Sequence, residues 1–321
     1  MPLSEFELIE RYFNRNLINR SDVILGIGDD AAIVRVPDDR DCAVATDTML
    51  AGVHFPASVS AEDLGYRALA VNLSDLAAVG AEPAWATLAL TIPEADPQWL
   101  ENFARGFLTL AAEHGVQLIG GDVTRGPLSI TVTIQGLLPR NRALRRSGAR
   151  PGDLIYVSGT LGDAALGLQY VNASKAFPAE HGTFLAARFF RPVARVELGR
   201  ALLDVATSAI DISDGLSADL GHILDSSHVG ATVEVSRLPL SAAMRSVADT
   251  EQALRYALSG GDDYELCCTV PPSDVSRIEA AGESCGCAVT CVGVITAMPG
   301  LRLLKADRSA IQLDTHGYHH F

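Results

Sequence analysis

Six short acidic patches, set among glycines and small residues, interrupt the apolar segments of this chain, and any fold it adopts must find a place for them. They are Gly28-Asp29-Asp30-Ala31, Ala45-Thr46-Asp47-Thr48, Asn72-Leu73-Ser74-Asp75, Gly120-Gly121-Asp122-Val123-Thr124-Arg125-Gly126, Asp211-Ile212-Ser213-Asp214-Gly215 and Gly260-Gly261-Asp262-Asp263. One Gly-Asp pair is a turn. Six, separated by core-forming sequence, point to carboxylates gathered in space around hard cations and, through them, phosphate oxygens.

At 321 residues the chain is long enough for two domains with their own cores. An apolar share of 48% with only 6% aromatics fits a mixed α/β globular protein. A net charge of −14 argues against binding nucleic acid, which needs clustered cations to displace counterions. The only lysines are Lys175 and Lys305, and neither follows a glycine. A Walker-A loop is therefore excluded, and nucleotide phosphate must be held by metal, backbone N–H groups or arginine. The cysteines form no Cys-x-x-Cys pair, and Cys267, Cys268 and Cys291 lie in strand-like apolar runs. They read as reduced, buried thiols rather than zinc ligands or disulfides. The first residues lack a basic flank and an apolar core, and no run approaches the ~18 apolar residues of a membrane span. The expected location is the cytoplasm.

Ser4 and Glu7 form a capping box for a short first helix. Strands are expected over 43–46, 86–92 and 129–138, the last alternating Ile130, Val132 and Ile134 with Thr131 and Thr133. A helix is expected from Ser60 to Gly80 and another from Asp96-Pro97 to Gly115. The arginine-rich stretch 139–153, closing on Pro151-Gly152-Asp153, is the expected domain boundary, giving domains 1–140 and 151–321. Beyond it come a strand over 154–158, helices over 159–171 and 193–206, a helix opening at Asp214-Gly215, and strands near 231–235, 264–270 and 289–295. The first half reads as strands with two covering helices and the second as a separate α+β layer.

Asp47 ends an apolar strand, where a carboxylate can reach a ligand. Asp75 lies inside an alanine-rich helix on the face of Val71, Asn72 and Ala78, which makes it an inward carboxylate in need of a partner. Gly120-Gly121-Asp122 reads as a loop whose backbone can approach a phosphate, with Arg125 adding positive charge, or as a plain hairpin-like loop. Asp211 and Asp214, three apart across a strand end and a helix start, can face one pocket, although Asp214 alone could be a helix cap. Ser158-Gly159-Thr160-Leu161-Gly162-Asp163 has the same strand–glycine–helix form and is a weaker phosphate-loop candidate. One of Arg140, Arg142, Arg145, Arg146 and Arg150 is a candidate phosphate contact.

In this order the motifs resemble the thiamine-monophosphate kinase family over nearly the whole chain. The resemblance runs through Gly-Ile-Gly-Asp-Asp-Ala-Ala (26–32), Thr-Asp-Thr and Gly-Val-His-Phe (46–48, 52–55) and Ala-Val-Asn-Leu-Ser-Asp-Leu-Ala-Ala-Val-Gly-Ala (70–81). It continues through Gly-Gly-Asp-Val-Thr-Arg-Gly (120–126), Ser-Gly-Thr-Leu-Gly-Asp (158–163), Asp-Ile-Ser-Asp-Gly-Leu (211–216) and Gly-Gly-Asp-Asp-Tyr-Glu-Leu (260–266). It implies an α+β, PurM-like (aminoimidazole ribonucleotide synthetase) architecture of two domains, with N-terminal strands forming a homodimeric β-barrel flanked by helices and a C-terminal α+β domain. It implies Mg2+ at Asp30, Thr46, Asp47, Asp75, Asp122, Asp211 and Asp214, with Asp47, Asp122 and Asp214 serving catalysis. ATP contacts fall on Gly121, Asp122, Arg146 and Ser213, and thiamine monophosphate contacts on His54, Asp262 and Tyr318. Three departures stand out: Ala45 where the family often has a hydroxyl, Asp262 where glutamate is usual, and the hydroxyl of Tyr318.

The implied reaction is in-line transfer of the ATP γ-phosphoryl group to thiamine monophosphate without a phosphoenzyme. The alternatives are a non-catalytic metal- or nucleotide-binding homologue and another ATP-using enzyme of the same fold. Relatives of the latter kind would need a reactive cysteine at the C-terminus or near the N-terminus, whereas this chain ends in Phe321 and its first cysteine is Cys42, inside an expected strand.

Overall fold

A computed structural model describes residues 4–15, 17–172 and 177–311. The chain forms two compact units, Met1–Leu76 with Ala81–Arg142 and Ala77–Gly80 with Ala143–Phe321.

In the first unit Ser4 caps α1 (Glu5–Leu8), its hydroxyl accepting the Glu7 N–H while the Glu7 carboxylate accepts the Ser4 N–H. The helix continues as a π turn, Ile9–Phe13, that buries Tyr12 and Phe13. A small ribbon of β1 (Val23–Leu25) and β2 (Ile33–Val34) follows. Then come β3 (Arg40–Leu50), α2 (Ala61–Val79), β4 (Glu82–Ile92), α3 (Pro97–Glu113), β5 (Gln117–Arg125) and β6 (Ser129–Pro139). The last four strands form one sheet in the order β3-β6-β4-β5, antiparallel except for the β4–β5 pair, which α3 joins as a crossover. Alternation gives this sheet two unlike faces. Met49, Leu88, Leu90, Ile130, Val132 and Ile134 are buried on one. On the other, Thr46 pairs with Thr133 at 2.9 Å and Thr48 with Thr131 at 2.8 Å, all four outside the core.

Asp96 caps α3 by accepting the Gln98 N–H, with Pro97 at the first position, as the sequence predicts. Helices α2 and α3 cross through glycines. A Cβ on Gly65 would stand 2.1 Å from the Phe103 carbonyl oxygen, and one on Gly106 would stand 2.0 Å from that of Glu62.

The second unit is built on a mixed seven-stranded sheet. Its elements are β7 (Leu154–Ser158), α4 (Asp163–Val171), α5 (Ala179–Phe190), α6 (Val196–Ala201), β8 (Ser208–Ile212), α7 (Leu216–Ser227), β9 (Gly230–Glu234), α8 (Ala242–Val247), α9 (Thr250–Ser259), β10 (Glu265–Val270), α10 (Val275–Ser284), β11 (Val289–Thr296), β12 (Gly300–Leu304) and β13 (Ala310–Ile311). The order is β13-β12-β9-β11-β7-β10-β8, with β9 and β12 parallel and every other pair antiparallel. Ile155, Val157, Ile210, Ile212, Leu220, Ile223, Val233 and Ile295 form its core.

Several expectations change here. Gly120-Gly121-Asp122 is not a loop but the middle of β5, because parallel pairing with Thr87, Leu88 and Ala89 keeps the glycines extended. The helix expected over 193–206 shrinks to α6. The helix expected from 159 begins at Asp163, after left-handed turns at Gly159 (φ 56°) and Gly162 (φ 81°).

Gly65→Ala or Gly106→Ala is expected to destabilise the protein by about 2–3 kcal/mol, because the new methyl meets backbone that cannot yield. Gly221→Ala, where a Cβ meets nothing within 4 Å, should hold or raise stability. Urea unfolding of the three variants checks both statements.

Candidate active site

Asp47 sits on the covered face of β3, where its N–H donates to Asn72 Oδ1 of α2 at 3.2 Å. Asn72 is 1% exposed and anchored by its own Nδ2 donating to the Ala68 carbonyl at 2.9 Å. Asp75, half-buried, lies one turn further along the same helix face as Asn72. Burial pushes the Asp47 carboxyl above its usual range. Thr46 turns the other way, to the open face and Thr133.

Asp122 is exposed on β5 beside Ala89, on the open face, with two strands between it and β3. At the ordinary strand spacing that is roughly 14 Å, so within one chain Asp47 and Asp122 do not stand side by side. Gly121 needs no ligand to explain it: a Cβ there would lie 1.9 Å from the Leu88 carbonyl oxygen. Asp30 is exposed in the turn after β1, its N–H donating to Asp29 Oδ1 at 2.9 Å. His54 accepts the Leu50 N–H at Nδ1 at 3.0 Å, which leaves the proton of a neutral ring on Nε2.

In the second unit Asp211, 6% exposed, closes β8. Helix α7 then starts at Leu216 with Gly215 (φ 110°) at its cap position. Asp214 is not the cap. Instead Asp219, 2% exposed and one turn into the helix, accepts the N–H groups of Asp214 and Gly215 through Oδ2, each at 3.0 Å. Burial, reinforced by the negative charges of Asp211 and Asp214, lifts the Asp219 carboxyl to about 7. Arg146 is exposed, its carbonyl accepting from the Ser227 hydroxyl, and Ser213 is half-buried.

The last patch rests on a buried polar core. Glu265 is fully buried and accepts from Arg195 Nε and Nη2 at 2.6 Å each, Arg188 Nη2 at 2.8 Å and the Ser158 hydroxyl at 2.6 Å. Burial would raise its pKa, but the guanidinium groups of Arg195 and Arg188 and the Ser158 hydroxyl more than offset that and hold it below the usual range. Asp263 has only backbone donors, Gly162 N–H at 2.7 Å being the nearer, and burial pushes it well up. Asp163 accepts from the Thr160 and Ser241 hydroxyls at 2.6 Å each, and burial still raises it. Thus Ser-Gly-Thr-Leu-Gly-Asp (158–163), read as a phosphate loop candidate, spends Ser158, Thr160 and Asp163 on internal hydrogen bonds.

Tyr318 lies outside the described residues. Among the described residues no three carboxylate, imidazole or thiol side chains converge as a ready metal site within the chain. All six cysteines are free, and burial lifts Cys268 to about 12, far from a reactive thiolate. Sequence reasoning missed Asn72, Asp219 and Glu265 as supporting groups. Asn72 and Glu265 lie inside the quoted motifs, but nothing at the sequence level shows which neighbour a buried polar group will meet.

The model of the AIR synthase related protein N-terminal domain matches residues 28–138, and that of the C-terminal domain matches residues 150–305. The hydrogenase maturation protein HypE in complex with ATP, at 21% identity and a TM-score of 0.78 over 96% of this chain and 93% of that one, shares the mixed α/β, PurM-like fold. The likeness becomes specific in other relatives. Thiamine-monophosphate kinase of Escherichia coli (strain K12) is 50% identical, covering 100% of this chain and 99% of its own. The crystal structure of thiamine-monophosphate kinase from Stenotrophomonas maltophilia K279a is 46% identical, with a TM-score of 0.88 over 97% of this chain and 99% of that one. The chain belongs to the thiamine-monophosphate kinase family.

The Asp219 carboxyl makes stability depend on pH. A pKa of about 7 in the folded chain, against 3.8 in the unfolded one, means that the folded state holds the proton more tightly. That contribution is complete below the unfolded value and is lost as pH rises toward 7, at most about 4 kcal/mol. Without divalent cations, Asp219→Asn should therefore flatten the fall in melting temperature between pH 4 and 7. An unchanged slope would show that Asp219 is not the titrating group.

Proposed function

We propose that this chain transfers the γ-phosphoryl group of ATP to the phosphate of thiamine monophosphate, giving thiamine diphosphate and ADP. The observation that carries this reading is the 50% identity, end to end, to a thiamine-monophosphate kinase. A solved relative described as AaThiL complexed with AMPPCP and TMP, 29% identical with a TM-score of 0.79 over 100% of this chain and 99% of that one, supports the pairing of an ATP analogue with TMP.

Phosphoryl donor and acceptor are both anions, and the reaction needs their mutual repulsion removed. The donor set fits Mg2+: it is all oxygen, and Asp47 is a half-dry carboxylate whose charged form burial disfavours until a cation offsets it. When bound, Mg2+ neutralises charge on the phosphate oxygens. Asp30, Thr46, Asp47, Asp75, Asp122, Asp211 and Asp214 would hold such ions, Asp47 and Asp122 of one chain not the same one, and Thr46 through its main chain wherever Asp47 supplies a carboxylate, since their side chains leave opposite faces of β3. Gly121, Asp122, Arg146 and Ser213 bind and orient ATP, with arginine taking the place of the missing loop lysine. His54 offers its Nε2 proton and Asp262 its carboxylate to thiamine monophosphate, with Tyr318 as an aromatic contact. An acceptor phosphate oxygen attacks the γ-phosphorus while the bond to the β–γ bridging oxygen breaks. The acceptor is already ionised near neutral pH, so no general base is required and no phosphoenzyme forms.

The open, threonine-rich face of the four-stranded sheet, with Val44 64% exposed on its edge strand, supports a homodimer in which these sheets come together. Among the described residues no helix is long and apolar enough to cross a membrane. With free cysteines and ATP as co-substrate, the cytoplasm is the fitting location.

ADP release should require both thiamine monophosphate and Mg2+. Release independent of thiamine monophosphate would favour another ATP-using enzyme, and no release would favour a binding protein. Asp47→Asn and Asp122→Asn are expected to lower kcat/KM by about a hundredfold or more. Melting of the metal-free protein should hold, or rise for Asp47→Asn, because that change removes a carboxylate that burial already disfavours. Parallel losses of melting temperature and activity would make these residues structural.

A further inference from the structure

Two residues of the last patch hold a backbone conformation that side chains rarely adopt: Asp262 at φ 70° and Tyr264 at φ 51°. Aspartate tolerates this region, but for a bulky aromatic it is an outlier, and such outliers persist only where their surroundings over-determine them. The surroundings here do so from both sides. The N–H of Asp262 donates to the Ser213 carbonyl and that of Tyr264 to the Ile212 carbonyl, each at 2.8 Å. A Cβ on Gly261 would fall 2.5 Å from the Ser213 carbonyl oxygen, so the two loops lie in close contact. The intervening Asp263 and the following Glu265 are anchored downward, at 1% and 0% exposure, one by the Gly162 N–H and the other by Arg188, Arg195 and Ser158. Asp262 and Tyr264 are left half-buried above them, where the Tyr264 hydroxyl donates to Asp262 Oδ1 at 3.3 Å.

We propose that Tyr264 is a positioning residue for Asp262. Its hydroxyl aims the carboxylate, and the left-handed backbone exists to bring that hydroxyl to it. Tyr264 thereby sets affinity for thiamine monophosphate while standing outside phosphoryl transfer and ATP binding. The inference rests on the reading of Asp262 as a contact to thiamine monophosphate.

Steady-state kinetics with Mg-ATP on the full chain test it, using Tyr264→Phe, Asp262→Gly (glycine accepts the same φ) and the double variant. Tyr264→Phe should raise KM for thiamine monophosphate about fivefold, the loss of one hydrogen bond to a charged group, with kcat, KM for ATP and melting temperature unchanged. Asp262→Gly should raise that KM further, and the double variant should be no worse than Asp262→Gly alone, because a residue acting only through Asp262 has nothing left to act on. The proposal is overturned if Tyr264→Phe leaves KM for thiamine monophosphate unchanged, raises KM for ATP equally, or multiplies the effect of Asp262→Gly. If Asp262→Gly itself leaves KM unmoved, the reading of Asp262 has failed and the proposal falls with it. If only Tyr264→Phe is silent, the reading of Asp262 stands and the proposal alone is lost.

Discussion

A carboxylate taken completely out of water must be met by charge and hydrogen bonds, and in the second unit Glu265 is met by two guanidinium groups and a hydroxyl. Around that interaction the patch at 260–264 takes its shape. Arg188 belongs to α5, Arg195 precedes α6 and Ser158 ends β7, so one side chain ties three segments distant in sequence to the start of β10. Removing Glu265 itself would strip Arg188 and Arg195 of their shared carboxylate, and breaking a buried pair typically costs about 3–5 kcal/mol. Directly above the lock, the chain can hold Asp262 and Tyr264 in a left-handed backbone that would relax elsewhere.

The carboxylates fall into two physical kinds. Glu265 is satisfied inside the protein and held ionised. Asp47 and Asp219 are raised by burial, and Asp219 is raised further by the acidic neighbours Asp211 and Asp214. Asp47 is raised by dehydration alone, whereas the Asp219 group also stores like-charge repulsion in a chain with two lysines and a net charge of −14. A dication bound there would relieve such repulsion and so stabilise the folded chain.

Much of this was legible in the residues. The capping box at Ser4, the start of α3 at Asp96-Pro97 and the alternation along β6 rest on local rules of propensity and period, and they stand as read. The glycine-rich segment 120–122 was misread because the fact that makes it a strand lies in another strand. Gly121 is glycine because the Leu88 carbonyl stands where a side chain would be, and no local pattern records that approach. Likewise Asp214 resembled a cap on paper, while the hydrogen bonds belong to Asp219.

By itself the sequence determined the chemistry available to this protein: oxygen ligands instead of a lysine loop, a mixed α/β chain, and motifs in an order that one family shares. Composition and spacing suffice for that, because they limit which groups exist and which lie on one face of one element. Tertiary structure alone decided which carboxylate serves which purpose. Whether an aspartate is a ligand, a loop anchor or a buried neutral group depends on its desolvation and on partners that may be a hundred residues away, as Gly162 is from Asp263 and Ser158 from Glu265. That is why acidic patches of similar appearance come to differ: Asp47 is half-dry beside Asn72, Asp122 is exposed on the open face, and Asp262 lies within reach of the Tyr264 hydroxyl.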